Sequence, residues 1–250
     1  MRFPGQLHTV FGAVVVVAAL ASSPQAFAQT APTMSRVTIT HVKPDMSTEW
    51  FDLQKNEVVP ALKKGGQKTR TVYVTALFGP AGEYVTVSPI ENFAEFDGTS
   101  PILEALGQPG TARLNEKLRK CIVNSMSFES MLMPELSNMP EGAPPPIMVQ
   151  ARYRIAPGKW QDFESIMKSD VLPIYKKANV HLRVSRRGAG ANPSDVVVST
   201  GYAKFADWGG GPFLTKAVGQ AAADKINAKF TGTRVLIDVV ARKRVPELSF

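Results

Sequence analysis

The chain repeats itself at a nearly constant spacing of 112 to 113 residues. Residues 58–64 (VVPALKK) return as 171–177 (VLPIYKK), and Pro134-Glu135-Leu136-Ser137 returns as Pro246-Glu247-Leu248-Ser249. The first pair is offset by 113 residues (173 − 60) and the second by 112 (246 − 134). A constant offset over a whole domain length indicates two copies of one fold rather than a chance motif. This spacing constrains the architecture more than any local signal, although it names no reaction.

The first 28 residues are predicted to be a signal peptide that is not part of the fold. Arg2 supplies a positive charge, residues 10–21 form an apolar run, and Ala26-Phe27-Ala28 matches a small-residue cleavage site. The apolar run is too short to cross a bilayer as a helix. We therefore expect an exported protein, periplasmic or secreted, that starts at Gln29 and has no stable membrane insertion. The alternative is an anchor that is not cleaved.

The chain is basic, with 29 Lys and Arg against 21 Asp and Glu and a net charge of +8. In an exported protein, such a charge favours solubility or attraction to small anions and anionic surfaces. No basic run alternates with aromatic residues, as a groove for single-stranded nucleic acid requires, so nucleic acid is not an expected partner. Cys121 is the only cysteine, so no internal disulfide can form and the hydrophobic core must supply the stability. We expect this thiol to be buried.

Each copy is predicted to fold as β-α-β-β-α-β. The first strand of each copy is closed by a proline, Pro44 or Pro157, because proline cannot continue a ladder. An apolar helical stripe follows, in which Pro60 and Pro173 should kink the helix at the same place. The predicted divisions are a signal peptide (1–28), an N-terminal tail (29–35), a first repeat (36–137), a proline-rich linker (138–148) and a second repeat (149–250).

The element order β-α-β-β-α-β is the ferredoxin-like motif. Its sheet carries helices on one face only, and the other face needs a cover. A duplicated chain supplies that cover from its own second copy. The predicted fold is therefore α+β: two tandem ferredoxin-like repeats packed sheet to sheet as an intrachain pseudo-dimeric barrel. We expect a space for a ligand between the two sheets.

The start of the second copy resembles a known superfamily. The run Arg152-Tyr153-Arg154-Ile155-Ala156-Pro157-Gly158, with Phe163 a few residues on, is similar to the first strand and helix of the dimeric α+β barrel superfamily. It is most similar to NIPSNAP-type and antibiotic-biosynthesis-monooxygenase-type domains. The resemblance covers both copies, although the first has Asp45 where the second has Gly158. It implies a barrel that supports cofactor-independent monooxygenases, haem enzymes and many proteins of unassigned role.

Strand alternation selects candidate ligand-binding residues. Gln150, Arg152 and Arg154 share one face of the predicted strand, opposite the apolar face expected to pack on helices. The offset of 113 places His41 at the position of Arg154. This face could form a polar pocket floor whose arginines bind an anionic or carbonyl-bearing ligand. The alternatives are partial exposure or salt bridges across the seam between the sheets.

Asp238 is the fourth candidate, because it interrupts the apolar run 235–240. A carboxylate buried in such a strand is costly unless it is paired, and Arg152 or Arg183 could be the partner. Its functional interpretation is a base with a raised pKa. The other interpretation places it on the solvated side of an edge strand. Its counterpart in the first copy is Met126.

No metal or cofactor is predicted. His41 and His181 are the two histidines of the mature chain, they lie far apart, and no cysteine pair accompanies them, so a structural zinc site is not expected. A haem enzyme is disfavoured because no histidine falls on a predicted helix. No Gly-x-Ser-x-Gly elbow is present, and catalytic residues remain unknown.

Three functions follow from these patterns. The first is binding of a small, partly apolar or anionic ligand between the two sheets. The second is a monooxygenase-type oxidoreductase that needs neither a metal nor a fixed triad. The third is a surface or interaction module without catalysis. A second copy of the chain is a further expected partner, in a homo-oligomer.

Overall fold

Eight antiparallel strands close into one barrel in the computed structural model, which describes residues 34–209 and 211–250. The predicted signal peptide lies outside the described residues. The strands are β1 (Met34–Val42), β2 (Thr71–Thr75), β3 (Glu83–Ile90), β4 (Ile122–Leu132), β5 (Ile147–Ile155), β6 (Leu182–Arg187), β7 (Asp195–Tyr202) and β8 (Arg234–Arg244). Around the barrel they follow the order β1-β3-β2-β8-β5-β7-β6-β4, and β4 pairs again with β1. The predicted fold class is confirmed as an α+β protein with a closed eight-stranded antiparallel barrel.

Helices pack on the outside of the barrel. They are α1 (Ser47–Leu53), α2 (Val59–Lys64), α3 (Pro101–Cys121), α4 (Trp160–Ile166), α5 (Leu172–Lys177), α6 (Phe205–Trp208), α7 (Phe213–Val218) and α8 (Gln220–Lys229). A π-helical turn joins α1 to α2 at Gln54–Val58, and another joins α4 to α5 at Met167–Val171. Each turn comes just before the proline predicted to kink the helix. Because proline has no N–H to donate, the backbone here cannot keep the regular α ladder.

The caps of these two helical segments agree with the sequence. Gly66 has a φ of 89° and Asn179 a φ of 51°. Glycine and asparagine are the residues that most readily adopt this left-handed conformation. Lys63 and Lys64 occupy the last turn of the first segment, as Lys176 and Lys177 do in the second, where cations favour the helix dipole.

The strand order is the same in the two halves of the chain. In the first half it is β4-β1-β3-β2, and in the second it is β8-β5-β7-β6. Two short ladders join the halves: β2 with β8 and β4 with β6, each over three residue pairs. The described residues belong to a single compact unit. The predicted linker is shorter than expected, because β5 begins at Ile147, and β1 begins at Met34 within the predicted tail.

Each half has its own core between sheet and helices. In the second half, Phe163 and Met167 pack on Ile155 of β5 and are almost completely buried. In the first half, Trp50 packs with Val72 and with Cys121, whose thiol is fully buried as predicted.

The closing Pro-Glu-Leu-Ser segments exchange places between the two cores. Leu136, from the end of the first half, is buried in the core of the second, and Leu248, from the chain end, is buried in the core of the first. The hydroxyl of Ser137 accepts a hydrogen bond from the Val184 N–H, and that of Ser249 accepts one from the Val72 N–H, both at 3.0 Å. The repeated motif therefore fastens each half to the other.

In the part of the chain that the structure describes, no helix is both long enough and apolar enough to cross a membrane.

Candidate binding site between the sheet and the helices

Strand β5 divides the second half into two compartments. Its residues Tyr153 and Ile155 pack against the helical core around Phe163. The alternate residue Arg152 points the other way, into the barrel, where its guanidinium contacts Asp195 of β7. The predicted alternation of β5 is therefore correct. One compartment lies between sheet and helices, and the other lies inside the barrel.

A cavity of about 730 Å³ lies in the sheet–helix compartment of the second half. Its volume falls in the range of small-molecule sites. The sheet contributes Val149, Ala151, Val198, Leu236 and Val239, and the helical side contributes Met167, Val171, Phe213, Leu214 and Phe230. This wall is mostly apolar, so burial of apolar ligand surface is the main interaction it offers.

A small set of polar groups interrupts the apolar wall. The Tyr175 hydroxyl lies 3.1 Å from the Thr200 hydroxyl. Burial raises the pKa of Tyr175 to about 12 and also raises the pKa of Tyr202. Both phenols therefore stay protonated near neutral pH and can donate hydrogen bonds to a ligand oxygen.

Arg234, at the start of β8, is the cation of the cavity. Its guanidinium stacks on two rings, with its central carbon 3.6 Å from the ring centroid of Phe230 and 4.0 Å from that of Tyr153. Burial lowers the pKa of Arg234. Among the described residues, no carboxylate forms an ion pair with it. A partly desolvated guanidinium without a counter-charge, held flat by two rings, is suited to bind an oxyanion or carbonyl oxygen.

The mouth of the cavity carries apolar residues from the first half of the chain. Leu77 and Phe78, from the loop after β2, line it together with Trp208. Phe78 and Trp208 meet edge to face, with ring centroids 5.6 Å apart. The Phe78 carbonyl accepts a hydrogen bond from the N–H of Ala241, which attaches the loop to β8. Both halves of the chain therefore contribute to one site.

Several positions of the first half that correspond to the cavity wall carry polar residues. At the offsets of 112 and 113, Ala151, Met167 and Val198 are replaced by Thr38, Gln54 and Thr86, and Arg234 is replaced by Ile122. Thr38 bonds Ser127 hydroxyl to hydroxyl at 2.8 Å. The buried Arg70 donates to the Gln54 side-chain oxygen at 2.8 Å. The apolar cavity is therefore a property of the second half.

The four ligand-binding residues predicted from the sequence do not line this cavity. Arg152 and Arg154 lie on the inner face of β5 and share the carboxylate of Asp195, with Arg154 Nε 2.8 Å from Asp195 Oδ1 and Arg152 Nη1 3.2 Å from Oδ2. Arg152 also bonds Asp238, which is the partner predicted for that carboxylate. β8 is not an edge strand over its whole length, because it pairs with β5 and, through Arg242 to Arg244, with β2. Asp238 lies outside the ladder with β2 and its side chain is 41% exposed, as the solvated interpretation expects.

His41 lies in a second cluster inside the barrel. Its Nε2 lies 3.3 Å from a carboxylate oxygen of Glu83. The other oxygen of Glu83 accepts a hydrogen bond from Arg242 at 2.6 Å, and Arg242 also donates to Gln150 at 2.7 Å. The four predicted residues thus share the barrel interior but belong to two different clusters, and each makes a polar contact with protein. Their role in binding a ligand stays a prediction.

Sequence reasoning missed the residue that distinguishes this cavity. Arg234 directly precedes the apolar run 235–240, and its counterpart at the offset of 112 is the apolar Ile122, so a comparison of the two halves at this position identifies it. The cavity itself had no sequence signal, because its helical wall and its mouth come from segments far apart in the chain. The ligand space had been expected between the sheets, whereas this cavity lies on the opposite face of β5.

Solved structures share the fold at low sequence identity. A protein named as a putative monooxygenase from Lactobacillus acidophilus NCFM superposes with a TM-score of 0.55 at 10% identity, over 84% of this chain and 93% of that one. A putative monooxygenase from Fusobacterium nucleatum subsp. nucleatum gives 0.55 at 10% identity, over 84% and 91%. An anthrone oxidase-like protein gives 0.54 at 7% identity, over 86% and 92%. These likenesses show the barrel fold.

No family model matches the chain, and no curated protein matches it.

Removing the Tyr175 hydroxyl should change how stability depends on pH. The pKa of this group is about 12 in the folded protein and 10.0 when exposed. Its contribution is therefore fully present below pH 10 and is lost as the pH rises toward 12, because the unfolded state loses the proton first. We expect the free energy of unfolding to fall over that window, and Tyr175→Phe to make the fall shallower.

Urea unfolding of both proteins at pH 8 to 12 measures this slope. At pH 8 the variant should lose about 1 kcal/mol through the missing hydrogen bond to Thr200. If the free energy of unfolding falls equally with pH in the two proteins, burial does not raise the pKa of Tyr175 and this prediction is wrong.

Proposed function

We propose that this protein binds a small, largely apolar and planar ligand that carries one oxyanion or carbonyl oxygen. The ligand would occupy the sheet–helix cavity of the second half. The observation that carries the proposal is Arg234, a guanidinium without a carboxylate partner among the described residues, stacked on Tyr153 and Phe230 in an apolar cavity of about 730 Å³.

The cavity wall favours an aromatic or fused-ring ligand. Aliphatic side chains of the sheet form one side, and the rings of Phe213 and Phe230 lie on the helical side. Flat ligands gain both area burial and ring contacts in such a space. The protonated hydroxyls of Tyr175 and Tyr202 add donors for a second oxygen.

Two fluorescent probes of nearly the same shape test the role of Arg234. Anilinonaphthalene sulfonate carries an anion, and phenylnaphthylamine is its neutral analogue. Both should bind, because the apolar wall is common to both. Arg234→Gln should weaken the sulfonate probe about tenfold, since it removes charge-assisted hydrogen bonds. It should change the affinity of the neutral probe by less than about twofold.

Two further variants locate the probes. Arg186 stacks on Trp160 with its guanidinium carbon 4.6 Å from the ring centroid and is not among the residues that line the cavity, so Arg186→Gln is a matched control that should leave both affinities unchanged. Ala151→Phe should weaken both probes, because it narrows the cavity from the sheet side. The proposal fails if Arg234→Gln and Arg186→Gln have the same effect on the sulfonate probe.

The second candidate is a monooxygenase-type reaction in the same cavity. It is favoured by the fold shared with proteins named as monooxygenases and by the position of Arg234, which could stabilise the enolate or phenolate of a bound substrate. In such a reaction a methylene group and O₂ give a carbonyl group and water, so the substrate supplies all the electrons and O₂ accepts them.

Anthrone, a flat tricyclic ketone with such a methylene group, is the first substrate to test. We expect O₂ consumption and anthraquinone formation above the uncatalysed rate, and a reduction of about a hundredfold in kcat/KM for Arg234→Gln if the guanidinium stabilises the anion. A rate no different from that without protein would exclude this reaction, while the probe experiment would still test binding.

The repeat also supports a proposal about origin. The equal strand orders, the paired π-helical turns and the exchanged Pro-Glu-Leu-Ser segments are the features expected if the barrel consists of two tandem ferredoxin-like copies, of the NIPSNAP or antibiotic-biosynthesis-monooxygenase type. If so, the second copy kept or acquired the ligand site. The first copy acquired polar residues at the matching positions and contributes to the closure of the barrel. A second copy of this chain, in a homo-oligomer, is also part of the proposal.

The proposed location of the protein is outside the cytoplasm, after export and cleavage of the signal peptide. If Ala26-Phe27-Ala28 is cleaved, the intact mass of protein recovered from the periplasm or the medium should correspond to a chain that starts at Gln29. Ala28→Glu should block cleavage and leave the full 27.1 kDa chain in the cell fraction. Recovery of the full-length chain outside the cytoplasm would contradict the cleavage site.

A further inference from the structure

Three arginines on the inner face of the barrel, Arg183, Arg187 and Arg244, form no ion pair among the described residues. Arg183 of β6 and Arg244 of β8 project from the inner face, on the same side of the sheet as Arg242 and Asp195. The polar contact of the Arg183 guanidinium is weak, with Nη1 3.9 Å from the Met139 sulfur. The Nε of Arg244 is buried without any hydrogen-bond partner.

Tyr73 of β2 lies within electrostatic range of both Arg183 and Arg244. It is directly opposite Arg244 in the β2–β8 ladder, so the two side chains share the inner face. The charges of Arg244 and Arg183 both act on its phenol, which places all three groups within electrostatic range. Burial raises the pKa of Tyr73 to about 12, and the phenol is a protonated donor near neutral pH. Among the described residues its hydroxyl has no recorded hydrogen bond.

The carboxylates of the barrel interior are already engaged elsewhere. Glu83 binds Arg242 and lies beside His41. Asp195 binds Arg152 and Arg154, and Asp238 binds Arg152. Arginine stays protonated inside proteins, so the cost of burying its charge cannot be avoided by loss of the proton. Arg183 is largely desolvated and the Nε of Arg244 is buried, although neither residue is fully buried. Cations that lose hydration are costly unless they are paired, and a bound anion would supply the missing counter-charge.

We propose that a small oxyanion binds inside the barrel between Tyr73, Arg183 and Arg244. Phosphate, sulfate and carboxylate share the required chemistry, because their oxygens accept the parallel N–H donors of a guanidinium. The Arg244 Nε and the Tyr73 hydroxyl would supply further donors. This site lies on the opposite face of the sheet from the apolar cavity and is independent of the function proposed for it.

Titration calorimetry and thermal unfolding of the full chain test the site. Phosphate, sulfate and succinate are each compared with chloride at equal ionic strength, and the strongest of the three identifies the preferred anion. We expect saturable binding and a rise in Tm of roughly 5 to 10 °C when the anion is present at about 100 times its Kd. No saturable heat with any of the three anions would overturn the proposal without the need for a variant.

Variants separate binding from the general stabilisation that sulfate and phosphate give to folded proteins. Arg183→Met and Arg244→Met should each weaken the preferred anion about tenfold or more and remove most of the Tm rise. Without the anion, each should keep or raise the Tm, because it removes a partly desolvated cation that has no ion pair. A structural role predicts the reverse, a lower Tm with an unchanged response to the anion.

Arg187→Met is the matched control. Arg187 also faces inward from β6, and its Nε, like that of Arg244, is buried without a hydrogen-bond partner. It differs because it stacks on Phe128, with its guanidinium carbon 4.5 Å from the ring centroid, and because the carboxylates of Asp195 and Asp238 act on its charge. This variant should keep the full response to the anion. Equal loss of the response in Arg187→Met and Arg183→Met would overturn the assignment to Tyr73, Arg183 and Arg244.

Discussion

Closure of the barrel across two short ladders is the constraint on which the rest of the structure depends. The β2–β8 and β4–β6 junctions each contain three residue pairs, which is little for an interface between two halves of a chain. The exchanged segments around Leu136 and Leu248 add apolar contacts between the two halves, because each places a fully buried leucine in the core of the other half. The consequence is one cooperative unit: loss of either segment would open both a ladder and a core. Closure also removes free edges at these junctions and turns one face of every strand into an enclosed interior.

That enclosed interior determines the chemistry of each strand face. The charged residues that are buried on the inner face, such as Asp195, Glu83 and Arg242, lose their hydration and must be paired. Asp195, only 1% exposed, is bound by two arginines, and Glu83 by Arg242. The outer face meets helices instead, and there apolar packing prevails. Because successive side chains of a strand such as β5 point to opposite faces of the sheet, neighbouring residues enter different compartments. One compartment contains ion pairs, and the other is apolar.

The two halves use the same architecture for different purposes. In the first half, the sheet–helix layer combines the hydrophobic core around Trp50 with hydroxyl groups and the bonded pair Arg70 and Gln54. In the second half, the same layer holds an apolar cavity with one stacked arginine. The mouth of the cavity is nevertheless completed by Leu77 and Phe78 from the first half. The asymmetry therefore does not make the first half dispensable: it supplies both the closing ladders and part of the site. This arrangement explains how two halves with the same strand order differ in the chemistry of their sheet–helix layers.

The sequence by itself determined the local features. The repeat predicted the element order, the prolines predicted the interrupted helices, Gly66 and Asn179 predicted the caps, and alternation predicted the inward direction of Arg152 and Arg154. It also proposed the pair formed by Arg152 and Asp238. These signals are local, or come from comparing two copies, so they survive without knowledge of long-range contacts. Only the tertiary structure decided that the end of β8 pairs with β2, that Asp195 binds Arg152 and Arg154 while Glu83 contacts His41, and that Arg234 lies in an apolar cavity without a carboxylate partner among the described residues. Each of these depends on which strands become neighbours when the barrel closes and on which helix covers which face. The physical reason is that the burial of a side chain and the charges near it are set by its neighbours in the folded protein. Those neighbours come from distant parts of the sequence.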